Sequence, residues 1–260
     1  MAAPIEHRAR KRFGQNFLHD PGVIRRILGA IDPKPDDHLV EIGPGLGALT
    51  EPLLQTGARL TAVEIDRDLA ADLRRRFGDV DRFTLIEGDA LKLDLGALDG
   101  PLRVVGNLPY NISTPLVFHL LAHAVAVRDI HIMLQKEVVE RMAAAPGGGD
   151  YGRLSVMAQY HARIEPLFTV GPGAFRPAPS VQSAVVRLEP RGERPLDAAG
   201  EVRLTDAVRT AFTKRRKTLH NALKGQATDA QMASAGIDPT ARAETVPVAN
   251  WVALAATMGD

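Results

Sequence analysis

The chain has 260 residues and no cysteine. Disulfide scaffolds, thiolate zinc sites, iron–sulfur clusters and cysteine nucleophiles are therefore excluded. It also lacks a long apolar run. The longest such stretch, around Pro115–Val127, carries His119 and His123 and is too short to cross a bilayer. No apolar run follows the basic start MAAPIEHRARKRF, so a secretory signal is not expected. Together these absences point to a cytosolic address. Nor is one sign of charge in excess, with 32 basic against 31 acidic residues.

What is present fits a globular protein. Hydrophobic residues make up 45% of the chain and charged residues 24%, and the length allows one large domain with a small appendix. Charge is clustered rather than abundant. Arg8, Arg10, Lys11, Arg12, Arg25 and Arg26 crowd the first thirty residues or so, and Lys214-Arg215-Arg216-Lys217 forms a second run. Such clusters can draw a polyanion to chosen places.

From residue 37 short apolar runs alternate with helical stretches. HLVEIG, RLTAVEID, FTLIEGD, PLRVVGNLPY and DIHIMLQ read as strands. LGALTEPLLQTG, RDLAADLRRRFG and STPLVFHLLAHA read as helices, the last with Ser113 as N-cap and Pro115 in its first turn. This spacing predicts βαβ units, hence an α/β fold with a mostly parallel, Rossmann-like sheet buried on both faces. Ala145–Gly152 reads as a mobile loop, its Gly147–Gly149 stretch ordering over substrate, RLSVMAQYH as a helix, RIEPLFTV and VQSAVVRLE as further strands, and Glu189–Gly200 as a linker. The expected organisation is an α/β domain over 1–190 and a small all-helical domain over 191–260.

The sequence Glu41-Ile42-Gly43-Pro44-Gly45-Leu46-Gly47 follows the first of those strands. Glycines there permit a tight turn and close backbone approach to a ligand. Glu64 ends the second strand, where a carboxylate can bond both ribose hydroxyls, Asp89 closes the third and Asn107 the fourth. These positions line one rim of the sheet and resemble adenosylmethionine-dependent methyltransferases. A nicotinamide enzyme would show G-x-G-x-x-G, whereas here the third glycine comes one residue early, and a P-loop lacks its Gly-Lys-Ser/Thr.

Asn107-Leu108-Pro109-Tyr110 is the candidate catalytic corner. An adenine amine is a poor nucleophile because its lone pair is delocalised into the ring. The Asn107 side-chain oxygen and a nearby backbone carbonyl can hold its two protons, letting the nitrogen pyramidalise towards a sulfonium methyl. Pro109 stiffens the turn and Tyr110 offers a stacking face.

Taken together, KRFGQNFLHD (Lys11–Asp20), EIGPGLGALT (Glu41–Thr50), GNLPYNISTP (Gly106–Pro115), YGRLSVMAQY (Tyr151–Tyr160), FRPAPSVQSAVVRL (Phe175–Leu188) and RRKTLHNAL (Arg215–Leu223) resemble the small-subunit (16S) ribosomal RNA adenine dimethyltransferases, the KsgA/RsmA family. The resemblance implies S-adenosyl-L-methionine held by Asn16, Leu18, Gly43, Gly45, Glu64, Asp89 and Asn107. It also implies a target base held by Asn107 and Tyr110, with Phe175 as a second aromatic face. The substrate would be two adjacent adenosines near the 3′ end of 16S rRNA in the pre-30S particle. Arg12, Lys214, Arg215, Arg216 and Lys217 are the candidate RNA contacts, the last four on a helix flanked by Phe212 and Leu219. Two departures bear on RNA docking. Ser180 and Gln182 stand where the family often has lysine and aspartate, and a glycine-histidine pair upstream of the first segment is missing.

Other readings stay open at this point: a large-subunit rRNA methyltransferase of the antibiotic-resistance type, and an assembly factor whose binding matters more than its catalysis. No metal is expected, because His119 and His123 lack a third ligand. Arg74-Arg75-Arg76 reads as a solvated helix end. Nothing in the sequence demands more than a monomer.

Overall fold

The structure, a computed structural model, describes residues 4, 5, 7, 9, 10, 13–192 and 194–258. Arg12, a candidate RNA contact, lies outside them. Two compact units emerge: Met1–Val139 with Glu165–Pro190, and Glu140–Ile164 with Arg191–Asp260.

The first unit begins with β1 (Phe17–Leu18) and α1 (Pro21–Ile31). No strand or helix is apparent there from periodicity alone, yet the start of α1 is encoded locally: Pro21 sits in its first turn and the Asp20 carboxylate accepts from Val23 N–H. Next come β2 (His38–Ile42), α2 (Thr50–Gln55), β3 (Arg59–Glu64), α3 (Arg67–Phe77), β4 (Phe83–Glu87), β5 (Leu102–Asn107), α4 (Ser113–Ala122) and β6 (Val127–Gln135). After α5 (Lys136–Ala143) and α6 (Arg153–His161) the chain forms β7 (Ala162–Val170), β8 (Phe175–Arg176) and β9 (Ser183–Pro190).

The main sheet has seven strands in the order β4-β3-β2-β5-β6-β9-β7. The strands β2 to β6 pair in parallel, and β9 runs antiparallel to β6. This is the mostly parallel α/β architecture expected. Its central strands are largely apolar because helices cover both faces: Leu39, Val40, Leu60, Ala62, Val104 and Val105 are fully buried. The order reverses at β2, with β3 on one side and β5 on the other, and such a reversal opens a crevice beyond the carboxyl ends of the strands. The expected helix cap at Ser113 is displaced: Ile112 is the cap residue, and the Ser113 hydroxyl donates to Tyr110 O at 3.1 Å.

The second unit holds α6, α7 (Ala198–Thr213), α8 (Leu219–Ala222), α9 (Asp229–Ser234) and α10 (Val248–Thr257). Leu204, Val208 and Ala211 of α7 are buried, as are Trp251 and Leu254 of α10. The Phe212 ring lies 6.2 Å from both Tyr151 and Trp251, centroid to centroid. A single cut at residue 190 therefore does not describe this unit. Residues 140–164 belong with the tail because Val156, Ala158 and Tyr160 of α6 are buried and the Tyr160 hydroxyl donates to Glu201 at 3.1 Å. The expected linker is also shorter, since α7 starts at Ala198 with the Asp197 carboxylate capping Gly200 N–H.

One contact is decisive for the sheet. Gly106 pairs with Ile42, and a Cβ there would sit 2.5 Å from the Ile42 carbonyl oxygen. Backbone cannot yield as a side chain can. Gly106→Ala should destabilise the protein by ~1–3 kcal/mol, the usual cost of overpacking, read as a lowered midpoint in urea with unchanged slope.

Candidate active site

Four strand ends and the segment 13–18 enclose a cavity of about 350 Å³. That volume lies within the range of small-ligand sites. The turn after β2 supplies its floor. Gly43 and Gly45 have φ of +67° and +58°, and a Cβ on Gly45 would meet the Phe17 ring at 3.1 Å. Only glycine allows this path at no cost. Beneath the turn Glu41 is buried and accepts the Thr50 hydroxyl at 2.7 Å. Burial pushes its carboxyl up to about 8, with Thr50 opposing the shift and the nearby Glu64 adding to it.

Glu64 is fixed by two backbone donors, Gly45 N–H at 3.1 Å and Asp66 N–H at 2.8 Å. Burial raises its pKa, and those two hydrogen bonds work against the rise. Asp89 is half-buried and accepts from Leu91 N–H at 3.0 Å. Asn107, at the end of β5, donates its side-chain N–H to the backbone oxygen of Asn16 at 2.9 Å. A carbonyl can only accept, so the amide nitrogen must face Asn16 and Oδ1 remains for a donor in the cavity. Tyr110 is half-buried, its hydroxyl 2.6 Å from the Ser183 hydroxyl on β9. Burial raises the phenol pKa and the Ser183 bond offsets part of that rise.

Of the residues expected at the site, Asn16, Leu18, Gly43, Gly45, Glu64, Asp89, Asn107, Leu108, Pro109 and Tyr110 all line this one cavity. Phe175 does not. It is 2% exposed, pairs with Leu18 across the β1–β8 bridge and packs into the core beside Val170 and Val185. The short bridge turns its ring inward, so no second aromatic face is presented. The run Lys214–Lys217 is also differently placed. It is exposed but lies in the turn after α7, not on a helix. Lys214 Nζ donates to Ala222 O at 2.9 Å, and Arg215 pairs with Glu244 at 2.8 Å while donating to Gly149 O at 3.0 Å. The Gly147–Gly149 stretch is thereby tied within its own unit, Gly147 N–H also donating to Glu244 O at 2.7 Å.

Several site residues escape a reading of the sequence. Ile65, next to Glu64, is 46% exposed at the cavity edge and offers an apolar slot. Arg76 is no solvated helix end: its side chain is 3% exposed and donates to Leu46 O at 2.7 Å, clasping the glycine turn. Their only sequence signal is adjacency to residues already singled out. His119 of α4 and His123, which caps that helix, stack edge to face at 4.9 Å, and no group of metal-ligating side chains occurs among the described residues.

The donor set suits one kind of ligand: carboxylates for vicinal hydroxyls and for a cation, an apolar slot for a planar base, and glycine backbone for close approach. The residues present fit S-adenosylmethionine. Sheet order and rim together define a Rossmann-like methyltransferase.

Comparison with known proteins narrows the class. The model of the ribosomal RNA adenine dimethylase family matches residues 6–259. A ribosomal RNA small subunit methyltransferase A from Pseudomonas putida is 58% identical, covering 100% of this chain and 98% of that protein. One of the same name from Marinobacter nauticus is 57% identical over 98% of this chain and 93% of its own. Among solved structures, a dimethyladenosine transferase from Plasmodium falciparum superposes with a TM-score of 0.77 at 25% identity, covering 91% of this chain and 95% of that one. The 23S rRNA methyltransferase ErmE gives 0.74 at 28% identity, with 94% and 100% covered. This chain belongs to the ribosomal RNA adenine dimethylase family.

The raised Glu41 pKa has a stability consequence. Between about 4.5 and 8 the folded chain holds a proton that the unfolded chain releases, so this group costs stability as pH rises through that window. Glu41→Gln keeps an acceptor for Thr50 and removes the titration. Its melting temperature should gain most over the parent near pH 8 and least near pH 5, measured by thermal unfolding across that range.

Proposed function

We propose that this protein transfers methyl groups from S-adenosylmethionine to the exocyclic amines of two adjacent adenosines near the 3′ end of 16S rRNA, on the assembling 30S subunit. The observation that carries the reading is the Asn107 amide, pinned by Asn16 O so that its oxygen is the end open to an amine. When bound, the cofactor supplies a methyl on a cationic sulfonium, a leaving group good enough that no side chain need act as general base. Asn107 Oδ1 accepts one amine proton and the Leu108 carbonyl the other, directing the nitrogen lone pair outward. Glu64 holds the ribose hydroxyls and the glycine turn admits the rest of the donor. Positioning of this kind can lower a barrier by ~7–11 kcal/mol.

The target adenine must leave its stack, at a cost of a few kcal/mol. Stacking on Tyr110 offsets this by ~1–3 kcal/mol. Ser183 and Ser113 hold that corner, one at the phenol and one at the Tyr110 carbonyl. With Phe175 in the core, Tyr110 is the ring that receives the base. The helical unit grips RNA, with Arg216 and Lys217 the more available half of the basic run. Arg12 joins them as an RNA contact. The protein acts as a monomer in the cytoplasm; no helix among the described residues is long and apolar enough to cross a membrane.

The test is methyl transfer from labelled S-adenosylmethionine to unmethylated 30S particles, followed by nucleoside mass spectrometry. Dimethyladenosine at two neighbouring small-subunit positions is the expected result. Methylation of large-subunit RNA instead would favour the activity named for ErmE, and donor binding without transfer would favour an assembly role. Asn107→Ala should reduce transfer at least a hundredfold, as loss of a positioned polar contact at a reacting centre does, while S-adenosylhomocysteine binding survives in part by calorimetry. Undiminished turnover by that variant would remove the mechanism.

A further inference from the structure

Asp66 takes no part in the chemistry above, yet its side chain is fully buried at the edge of the donor site. It lies just beyond β3 and caps α3, accepting from Asp68 N–H at 3.1 Å. That bond would suffice for a cap. The carboxylate does more. Arg10 Nη1 donates to Oδ1 at 2.7 Å and Gln15 Nε2 to Oδ2 at 3.0 Å, with His7 Nε2 at 3.4 Å from Oδ2. The other arm of Arg10 reaches Asp68, and Gln15 Oε1 accepts Arg10 N–H at 2.7 Å. Arg10, Gln15 and His7 all come from the segment that precedes β1. That segment ends with the Asn16 oxygen that fixes Asn107 and runs on into Phe17 of β1, which lies against Gly45. On its other side the Asp66 peptide N–H holds Glu64.

We infer that Asp66 is a positioning residue: through Arg10 and Gln15 it latches the strap formed by residues 13–18 over the donor cavity, so that closing the strap, anchoring the Glu64 carboxylate and orienting Asn107 become one event. The inference rests on the methyltransferase reading of this cavity. A buried carboxylate is left costly when its cationic partner departs, so the latched form is favoured. If the donor binds well only beneath a latched strap, its apparent affinity falls by the fraction of strap that is open.

The test uses S-adenosylhomocysteine as the probe, with the full chain, by calorimetry. Asp66→Asn retains a good N-cap but removes the charge that holds Arg10. Arg10→Met removes the other half without touching the cap or the cavity. Each should weaken S-adenosylhomocysteine about tenfold, and the double variant should lie within about twofold of either single, because one interaction is lost once. Amide exchange over residues 13–18 should quicken in both, with melting temperatures within ~2 °C of the parent.

Unchanged affinity in both variants overturns the proposal. So does weakening in Asp66→Asn alone, which would mean that Asp66 acts on the site without Arg10, and so do losses that multiply in the double variant. Should Asp66→Asn fail to fold, Arg10→Met decides by itself: normal affinity and normal exchange sink the latch. An unaltered chain that does not bind S-adenosylhomocysteine overturns the methyltransferase reading and this inference with it, an outcome distinct from failure of the latch, in which the unaltered chain binds normally.

Discussion

The backbone contact between Ile42 and Gly106 sets everything at the site. Two parallel strands meet there with no space for a Cβ, and each then departs in its own direction. Strand β2 runs on into the glycine turn, and β5 ends at Asn107. Because the strands are in register at that point, the glycine turn and Asn107 lie side by side without any further device. Carboxylates from β3 and β4 arrive on the same rim because parallel strands end together. The chemistry is thus placed by sheet geometry, and loops refine it.

Refinement comes from groups that fix direction rather than supply reactivity. Asn16 O decides which end of the Asn107 amide faces the cavity. Ser183 holds the Tyr110 phenol, Ser113 the Tyr110 carbonyl, and Arg76 the carbonyl of Leu46. Each is a single hydrogen bond from an element other than the one it steadies. A reaction that relies on alignment gains from such bonds because rotamer freedom is removed before substrate arrives.

Much of this was legible in the residues. Buried parallel strands write themselves as apolar runs, so β2 to β6 are apparent from composition, and the glycines, Glu64, Asp89 and Asn107 punctuate their ends. What sequence could not show depends on tertiary placement. Arg76 lies in a run of three arginines that looks solvated, and only the fold turns its side chain under the glycine turn. Phe175 sits among prolines in a segment that reads as open loop, yet pairing with Leu18 draws it inside. Lys214–Lys217 are good helix formers by propensity, but α7 ends at Thr213, and the Lys214 amine satisfies the carbonyl of Ala222 instead. The partition at 190 misses that α6 is apolar enough to be needed in the helical core.

The two-residue bridge of Leu18 to Phe175 has a consequence for how the protein comes into being. It joins segments more than a hundred residues apart, one near the start of the chain and the other near the end of the first unit. Closing so wide a loop is entropically unfavourable until the sheet between has formed, which makes it a late event in folding. The nascent chain must deliver Phe175 before the front wall of the donor cavity can be secured. Strands β2 to β5, with the glycine turn and Asn107, are synthesised long before that. A growing chain therefore carries the corner around Asn107 well before the cavity beside it can be enclosed, and that enclosure arrives only when almost the whole first unit has been made.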